Sequence, residues 1–552
     1  MASVELGPDV LNDLEFFLSY THTEEGTLLK ELSKEVVGRG AIAVLRNRLG
    51  EPSTEVETLR SYQSRVLRLR ELFEAQEAVR KAHSDIRQYQ PHAEWVRDQA
   101  KDVDGVDPME VVYFKFSLFK LIGLNQSPTA LNMLNVYNIL VSPTMGLLSP
   151  IIYFLIPYGV LVRKFHIKFS FREFMHVLWK ALVLMIQQNR TIAGVQLTSM
   201  ILSLVMYGQG LLNSTLLARD AWRVCSLLYK HMDGLFSYLK AGLRLITLCE
   251  DSETHQRAID ALGDLNYAAR PYNLGSRLNS FRECRSTGKT ERYRLSDFES
   301  IVDNLLCDIG VALFTKDWCV AQFDRGTTAV LHIEDIRHPI LPHGVPNHIP
   351  LESRNCIITG PNAAGKSTLI KAVACNVVLA QTIGFAFAKE YRCSLFSWIN
   401  TQINIPDCKG VESLFQAEMN RCKTNIEGVR RLAHDEHALL IFDEIFNSTN
   451  VIEGVSAAYA ILETLGNHPN TTTLITTHYP YLCKLPNYDR YKMNALLDDQ
   501  KRVCGFPYKL TVGISTQYIA LEILRDNFDA EIVDRAIEVK RRLLNKIPDK
   551  EK

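Results

Sequence analysis

A glycine-containing segment between a short apolar run and a helical pattern constrains the fold of this chain more than any other feature. The segment Gly360–Ser367 reads Gly-Pro-Asn-Ala-Ala-Gly-Lys-Ser and fits the pattern GxxxxGK[ST] of a phosphate-binding loop, or P-loop. The apolar residues 356–359 before it predict a strand, and the segment after it is typical of a helix. Apolar runs at 438–442 and 471–477 alternate with further helical segments, which predicts a mostly parallel sheet.

The residue types of this segment suit a polyphosphate. Gly360 and Gly365 let backbone amides approach phosphate oxygens without Cβ clashes, and the following helix directs its positive end at the anion. Lys366 is a mobile charge for the β and γ phosphates, and Ser367 offers a hydroxyl to Mg²⁺. The residues that we expect to bind the nucleotide here are Gly360, Pro361, Asn362, Gly365, Lys366, Ser367 and Thr368.

Two later strands end in side chains that would complete such a site. Asp443 and Glu444 follow the run 438–442, and a carboxylate at the end of a central parallel strand lies beside the phosphate loop. We expect Asp443 to hold Mg²⁺ through water and Glu444 to be the general base for the attacking water. His478 follows the run 471–477 at the same sheet edge, where we expect it to sense or position the γ-phosphate. A lone histidine is as often structural, and that alternative stays open.

Composition excludes several classes of protein. Lys+Arg and Asp+Glu both number 62, which excludes a polycation that coats nucleic acid but not a local basic groove. The 12 cysteines contain no CxxC pair, so we expect reduced, mostly buried thiols rather than a disulfide framework or a zinc site. The first residues have no basic and apolar regions of a secretory signal, and we therefore expect an intracellular protein of the cytoplasm or nucleus.

The first half of the chain has a helical texture. Residues 57–89 predict a long amphipathic helix, and Pro52 separates it from an earlier one. Two runs, 121–162 and 191–218, contain no Asp, Glu, Lys or Arg. The charged helical texture returns from about residue 220 to residue 319.

Three motifs resemble the ATPase domain of the MutS family, whose members are ABC-class ATPases that clamp DNA as dimers. They are Thr-Gly-Pro-Asn-Ala-Ala-Gly-Lys-Ser-Thr at 359–368, Phe-Asp-Glu-Ile-Phe-Asn-Ser-Thr-Asn at 442–450 and Thr-Thr-His-Tyr-Pro-Tyr-Leu at 476–482. The flanking segments 337–340, 345–347, 413–419 and 513–516 are similar to the family's segments as well. The resemblance implies ATP and Mg²⁺ as cofactors and a homodimer or MutS-like heterodimer on double-stranded or branched DNA.

The resemblance also assigns roles to single residues. Ser413 opens a signature-like segment, Ser-x-Phe-x-x-Glu, that helps complete the partner subunit's nucleotide site. Val345 stands where the repair proteins stack an aromatic ring on adenine, and Tyr508 is our candidate for stacking from the other side. Residues from about 15 to 125 are more weakly similar to the start of the MutS core, or lever, domain.

Some features depart from the mismatch-correcting members. The core similarity begins near residue 15, and we find no Phe-x-Glu wedge near the N-terminus, so we expect a MutS-related branch without the mismatch-binding domains. Residues 445–450 replace a Gly-Arg-Gly-rich turn, and Ala363-Ala364 replace Met-Gly in the P-loop. These changes put the timing of ATP turnover in doubt, not ATP binding.

The predicted fold class is therefore mixed. We expect an all-α core or lever domain over residues 1–328, followed by an α/β P-loop (ABC-class) ATPase domain with a mostly parallel sheet and C-terminal helices over 329–552. The apolar segments 121–162 and 191–218 would lie in the first of these domains.

The uncharged runs leave two interpretations open. Residues 139–162 and 191–218 are long enough for two transmembrane helices, since roughly 20 apolar residues suffice. Pro143, Pro150 and Pro157 would interrupt a helix, and the polar residues of the second run also suit a buried core or a dimer surface. Association in the plane of a membrane lies between these two.

Two functions of different class follow. In the first, a MutS-like ATPase closes around DNA as a dimer, in mismatch repair or recombination. Its phosphate contacts would come from the basic segments Arg163–Arg190 and Arg65–Arg70. In the second, the same ATPase is anchored to a membrane and does not act directly on mismatched DNA.

Overall fold

The computed structural model divides the chain into two compact units. The first comprises Met1–Gln76 and Val302–Lys552, and the second comprises Glu77–Ile301. The two compact units do not meet at residues 328 and 329. The domain boundary predicted there stays a prediction. The structure describes residues 4–19, 23, 25–99, 111–114, 123–188, 190–263, 274–285, 295–341, 343–350, 354–403, 414–499, 502–517, 519, 521 and 528–544.

The first unit is built around a seven-stranded sheet. Its strand order is β1-β9-β10-β11-β6-β12-β15; neighbours are parallel except β12 and β15. The predicted mostly parallel sheet is therefore confirmed. The strands are β1 Glu5–Leu6, β2 Cys319–Val320, β3 Gln322–Asp324, β4 Leu331–Ile336, β5 Asn347–Pro350, β6 Asn355–Thr359, β7 Phe385–Ala386, β8 Glu390–Ser394, β9 Phe396–Gln402, β10 His437–Asp443, β11 Thr471–Thr477, β12 Tyr488–Met493, β13 Leu496–Leu497, β14 Val503–Gly505 and β15 Leu510–Val512.

Helices make up the rest of the regular structure. They are α1 Val10–Asp13, α2 Leu28–Leu32, α3 Arg39–Gly50, α4 Val56–Ala75, α5 Glu77–Glu94, α6 Pro128–Val136, α7 Ser142–Arg163, α8 Phe171–Gln188, α9 Arg190–Cys249, α10 Ser252–Leu262, α11 Leu274–Arg285, α12 Leu295–Phe314, α13 Lys366–Ile383, α14 Leu414–Arg431, α15 Val451–Asn467 and α16 Ala530–Leu544. Short 3₁₀ or π turns occupy Ser33–Glu35, Trp95–Gln99, Leu124–Gln126, Tyr137–Val141 and Pro480–Lys484.

The central strands are apolar because both faces of the sheet are covered. Every residue of β6 and β11 is buried, and so are all residues of β10 except Asp443 at its end. Continuous burial is the pattern expected of a parallel strand between helix layers. The helix α13 is buried along nearly its whole length, so it packs as a core element rather than a surface helix. The core cluster on one side of the sheet includes Leu440, Phe442, Leu462 and Ile475.

The predicted long helix over 57–89 is wrong in one respect. The chain leaves helical geometry at Gln76, whose φ of −109° and ψ of 113° are extended, so the segment forms α4 and α5. The predicted break near Pro52 is confirmed, since α3 ends at Gly50 and α4 begins at Val56.

A buried carboxylate joins α4 to α12. The side chain of Asp308 is 3% exposed and pairs with Arg48 at 2.5 Å and with Arg65 at 2.7 Å. Arg70 donates to the carbonyl oxygen of Ala312 at 3.1 Å. Arg65 and Arg70 thus hold two helices of the first unit together, which disfavours the predicted use of this segment for DNA phosphates.

In the second unit, all the regular secondary structure of the described residues is helical. Its longest helix, α9, has 60 residues. The helix α7 contains Pro150 and Pro157, and the predicted interruption appears as a bend of 48° between Pro128–Ile152 and Phe154–Arg163. By length and composition alone, the described helices include one that could cross a membrane, Ile201–Cys249, and a second if the bent pair counts as one.

Many side chains of the two uncharged runs are exposed where the structure describes them. The apolar side chains that lie exposed include Leu140, Ile156, Leu204 and Met206, each at least 60% exposed. Of the interpretations that the sequence leaves open, a dimer surface and a contact with a membrane remain, because each would cover these helices with other molecules.

We expect Asp308→Asn to destabilise the first unit by about 3 kcal/mol, because Arg48 and Arg65 would face each other without their shared carboxylate. Thermal unfolding measures this loss. The matched control is Asp324→Asn, whose partner Arg392 is 58% exposed, and its effect on thermal unfolding should be much smaller, because solvent screens an exposed pair. Equal shifts for the two variants would contradict a structural role for Asp308.

Candidate functional site

Three neighbouring parallel strands end at one edge of the sheet, and each is followed by residues predicted to form the site. The register places Asp443 of β10 opposite Thr476 of β11, and Thr476 opposite Ile358 of β6. The segment Gly360–Ser367 follows β6, Glu444 follows β10 and His478 follows β11. Because the carboxyl ends of these strands are aligned, the three predicted motifs lie together.

The loop between β6 and α13 has a backbone that requires glycine at its first position. Gly360 has a φ of +154°, and a Cβ there would lie 2.2 Å from the carbonyl oxygen of Met493. Gly365 has a φ of +94° and directly precedes α13. Ala363 also adopts a positive φ, of +65°, without being a glycine. The loop therefore forms a tight turn. It leads directly into the N-terminus of an 18-residue helix, where the first amide groups have no partner within the helix.

Lys366 lies at the centre of the site. Its side chain is 4% exposed, and Nζ donates to the carbonyl oxygen of Pro361 at 3.2 Å. The same atom lies 3.3 Å from Nε2 of His478 and 3.9 Å from Oε1 of Glu444. Burial lowers the pKa of Lys366, and the nearby carboxylates of Glu444 and Asp443 oppose that shift. An anion bound at this position would offset the free-energy cost of removing the ammonium group from water.

Glu444 and His478 are in hydrogen-bond contact beside Lys366. Oε1 of Glu444 lies 2.6 Å from Nε2 of His478, which also lies 2.7 Å from Oδ1 of Asn362. The hydrogen bond with His478 lowers the pKa of Glu444, and Lys366 and the amide of Asn447 act in the same direction. The carboxylate therefore stays ionised and able to accept a proton near neutral pH. Glu444 has a φ of +57°, a left-handed conformation that directs the residue after β10 into this contact.

Two contacts of the site carry no sequence signal. Asn447 donates a hydrogen bond to Oε2 of Glu444, and the hydroxyl of Thr476 donates to Oδ1 of Asp443. Asparagine and threonine are common in loops and strands, so only the folded geometry identifies these two as partners of the carboxylates. Both contacts orient a carboxylate that the sequence did predict.

The donor set fits a polyphosphate and its metal ion. A buried ammonium, a helix N-terminus and a loop that leaves no room for a Cβ are the features that phosphate groups require. Ser367 at the start of α13 and Asp443 at the end of β10 supply oxygen atoms, which are the ligands that Mg²⁺ prefers. Elsewhere in the described residues, His332, Glu334 and Glu390 could also hold a metal ion, although Lys389 lies 3.4 Å from Glu334.

A cleft of about 230 Å³ adjoins the loop. Val345, Thr368 and Tyr508 line it together with Gly365 and Met493. The Tyr508 ring lies against Gly365, since a Cβ on that glycine would meet Cδ1 at 3.0 Å. This places the two residues expected near an adenine base, Val345 and Tyr508, on one cleft.

Tyr508 is held in place by Asn347, a residue that sequence reasoning named only as part of a flanking segment. Nδ2 of Asn347 donates to the carbonyl oxygen of Tyr508 at 2.9 Å, and its Oδ1 accepts from the amide of Leu510 at 2.8 Å. Tyr508 has a φ of +52°, and these hydrogen bonds fix the backbone that follows this left-handed residue, from its carbonyl group to the amide of Leu510.

The signature-like segment lies partly outside the described residues, which include neither Ser413 nor the residues before it. Within α14, Glu418 is buried and accepts a hydrogen bond from the hydroxyl of Ser448 at 3.0 Å. Phe415 contacts Phe446 with ring centroids 5.4 Å apart. The helix after Ser413 is therefore packed against the loop that follows Glu444.

Comparison with known proteins matches the same part of the chain. The family described as MutS domain V matches residues 356–544. The DNA mismatch repair protein MutS of Pelotomaculum thermopropionicum is 32% identical over 225 residues, which cover 39% of this chain and 26% of that protein. The proteins of the same name from Cytophaga hutchinsonii and Staphylococcus epidermidis are 33% and 30% identical, over 36% and 46% of this chain and 23% and 30% of their own length. The chain thus matches about a quarter to a third of the length of these curated relatives.

We expect Gly360→Ala to weaken nucleotide binding at least tenfold, because the new Cβ would meet the Met493 carbonyl oxygen and force the loop to move. Calorimetric titration with ATP measures the effect, and circular dichroism checks that the fold persists. Gly326→Ala is the matched control, since its Cβ would have no neighbour nearer than 3.8 Å. Wild-type affinity in Gly360→Ala would show that the loop geometry does not matter for the ligand.

Proposed function

We propose an ATP-driven function for this chain. The proposal rests on its membership of the MutS family, since residues 356–544 match the family described as MutS domain V. The observation that supports the proposal best is the contact of Lys366, Glu444 and His478 at the ends of three parallel strands. The reaction is the hydrolysis of ATP to ADP and phosphate, coupled to a conformational change.

In this proposal the loop binds the nucleotide. Gly360, Pro361, Asn362 and Gly365 surround the phosphates, Lys366 balances their negative charge, and Thr368 faces the cleft toward the base. Bound Mg²⁺ would neutralise phosphate charge, held by Ser367 and, through water, by Asp443. Tyr508 stacks on the base, and Val345 lines the opposite part of the cleft.

Glu444 is the general base in this proposal. It accepts a proton from the attacking water, whose oxygen forms a bond to the γ-phosphorus while the bond to the β-γ bridging oxygen breaks. His478 orients the carboxylate through the 2.6 Å contact and lies near enough to Lys366 to respond to the γ-phosphate. Asn447 holds the other oxygen of Glu444, so the carboxylate has a fixed direction.

The coupling of ATP to a larger motion rests on resemblance and on the relatives' names. Proteins called DNA mismatch repair protein MutS share the matched region, so we propose that this chain acts on double-stranded or branched DNA as a homodimer or MutS-like heterodimer. Ser413 of one subunit would then complete the nucleotide site of the other. Phe415 and Glu418 pack against the loop after Glu444, so a movement at the subunit contact would reach the general base, Glu444.

A second candidate function is a membrane-anchored ATPase that does not act directly on mismatched DNA. The observation that favours it is the exposure of apolar side chains along α7 and α9. The nucleotide chemistry is the same in both functions.

We expect Lys366→Ala to weaken ATP binding, and Glu444→Gln to retain binding while lowering turnover at least a hundredfold. Calorimetry measures binding and phosphate release measures turnover. Lys371→Ala, on the same helix, and Glu453→Gln, on α15, are the matched controls and should leave both quantities near wild type. A wild-type rate in Glu444→Gln would remove this residue as the base.

We further expect the protein to bind duplex DNA with an affinity that falls steeply as salt rises, because phosphate contacts release counterions. Fluorescence anisotropy at stepped salt concentrations measures the slope. Glu444→Gln with ATP, compared with the same variant without nucleotide, tests whether ATP controls the DNA complex. No binding at about 50 mM salt, with or without ATP, would contradict the DNA function and favour the second candidate.

A further inference from the structure

Over residues 201–206, side chains on every side of α9 are exposed. Ile201, Leu202, Leu204, Val205 and Met206 are each at least 55% exposed, and Ser203 between them is exposed too. Successive residues of a helix point about 100° apart, so these positions cover every side. A protein partner that docks on one face would cover one stripe, whereas lipid surrounds a helix completely.

One narrow stripe of α9 packs against α7. The hydroxyl of Tyr207 donates to the carbonyl oxygen of Gly146 at 2.9 Å. A Cβ on Gly146 would lie 3.3 Å from Leu211 and 3.5 Å from Ser214. The two helices thus approach closely at a glycine, as small residues allow between helices in lipid. The stripe that α7 covers is the part of this stretch of α9 that is half-buried.

Several hydroxyl groups of the two helices bind backbone carbonyl oxygens of the preceding helical turn. Each of the following side chains donates to a backbone carbonyl three or four residues earlier: Thr144, Ser149, Thr198, Ser214 and Thr215. A hydroxyl bound in this way needs no water, which lowers the cost of placing it among acyl chains.

The dimensions and ends of the helices match a bilayer. The 22 residues of α7 measure about 33 Å along the helix path at 1.5 Å per residue, and the 48° bend brings the end-to-end length nearer to the hydrocarbon thickness of about 30 Å. At the end of α7, Tyr158 contacts the rings of Phe169, Phe171 and Phe174 at 5.3 to 5.8 Å. Aromatic side chains are enriched at the boundary between hydrocarbon and water.

The connection from α7 to α9 is basic and suits anionic headgroups. It carries one acidic residue, Glu173, against a set of basic residues that comprises Arg163, Lys164, Lys168, Arg172, Lys180 and Arg190. Its helix α8 exposes Trp179 at 64% and Val177 at 63%. Apolar side chains beside basic ones are typical of a helix that lies at the membrane surface.

We propose that α7 and residues 191–218 of α9 insert into a lipid bilayer as a helical hairpin, with α8 at the headgroups. Because two crossings return the chain to the side on which it started, the segments before α7 and after residue 218 would lie at one face of the membrane and α8 at the other. The inference goes beyond ATP hydrolysis: it assigns a lipid partner to the second unit, whatever the ATPase acts on.

Flotation of the purified full chain with vesicles tests the proposal. Vesicles of phosphatidylcholine alone and with phosphatidylglycerol are compared, followed by high-salt and carbonate washes. We expect the protein to float and to resist both washes, with more binding to the anionic vesicles. Leu204→Lys should lower the partition coefficient between vesicles and water about a hundredfold, the cost of one lysine at the centre of a helix in lipid. Val512→Lys, at a side chain 77% exposed in the first unit, is the matched control and should float as wild type does.

Two measurements keep the outcome clear. Brominated lipids should quench the fluorescence of Trp179 and Trp222, which are exposed, and the quenching should disappear in a W179F/W222F variant. ATP hydrolysis by Leu204→Lys reports separately on the ATPase and on folding. A soluble protein that neither floats nor is quenched would overturn the proposal. A soluble dimer that Leu204→Lys converts to monomers would instead make the exposed helices a contact between two copies.

Discussion

The alignment of three parallel strands is the constraint on which the rest of the candidate site depends. β10, β11 and β6 are paired in a register that puts Asp443, Thr476 and Ile358 in one row. Their ends then bring a carboxylate pair, a histidine and a glycine loop to one edge, although these residues are far apart in sequence. A register change of one residue would turn the side chains of a strand to its other face and separate the groups.

Within that arrangement, burial and charge act against each other on Lys366. Removal from water lowers its pKa, while Glu444 and Asp443 favour the charged form. Glu444 has the reverse balance: burial raises its pKa, and the contacts with His478, Lys366 and Asn447 lower it further than burial raises it. The contact between the two groups therefore favours the ammonium form of Lys366, which suits an anion, and the ionised form of Glu444.

The sequence predicted the parts of the site that have local signals. A glycine loop between a strand and a helix, and carboxylates after an apolar run, depend on neighbouring residues, so Gly360, Lys366, Asp443 and Glu444 could be named. Asn447 and Thr476 could not, because their role arises from pairing between strands distant in sequence. The same reason explains Arg65 and Arg70, which looked free for DNA but pack α4 against α12. The end of α4 at Gln76 has no signal in the helical periodicity, which continues across it. The uncharged runs were recognisable in the sequence, but whether they are buried or exposed depends on the fold.

The central claim is that the edge formed by these strands is an ATP site. A crystal structure of the protein with a non-hydrolysable ATP analogue and Mg²⁺ tests this most directly. The account predicts the γ-phosphate at about 3 Å from Nζ of Lys366, the metal ion near Ser367 and Asp443, and the base in the cleft beside Tyr508. A nucleotide bound elsewhere, or a loop that stays empty with Lys366 still bonded to the Pro361 carbonyl oxygen, would contradict it.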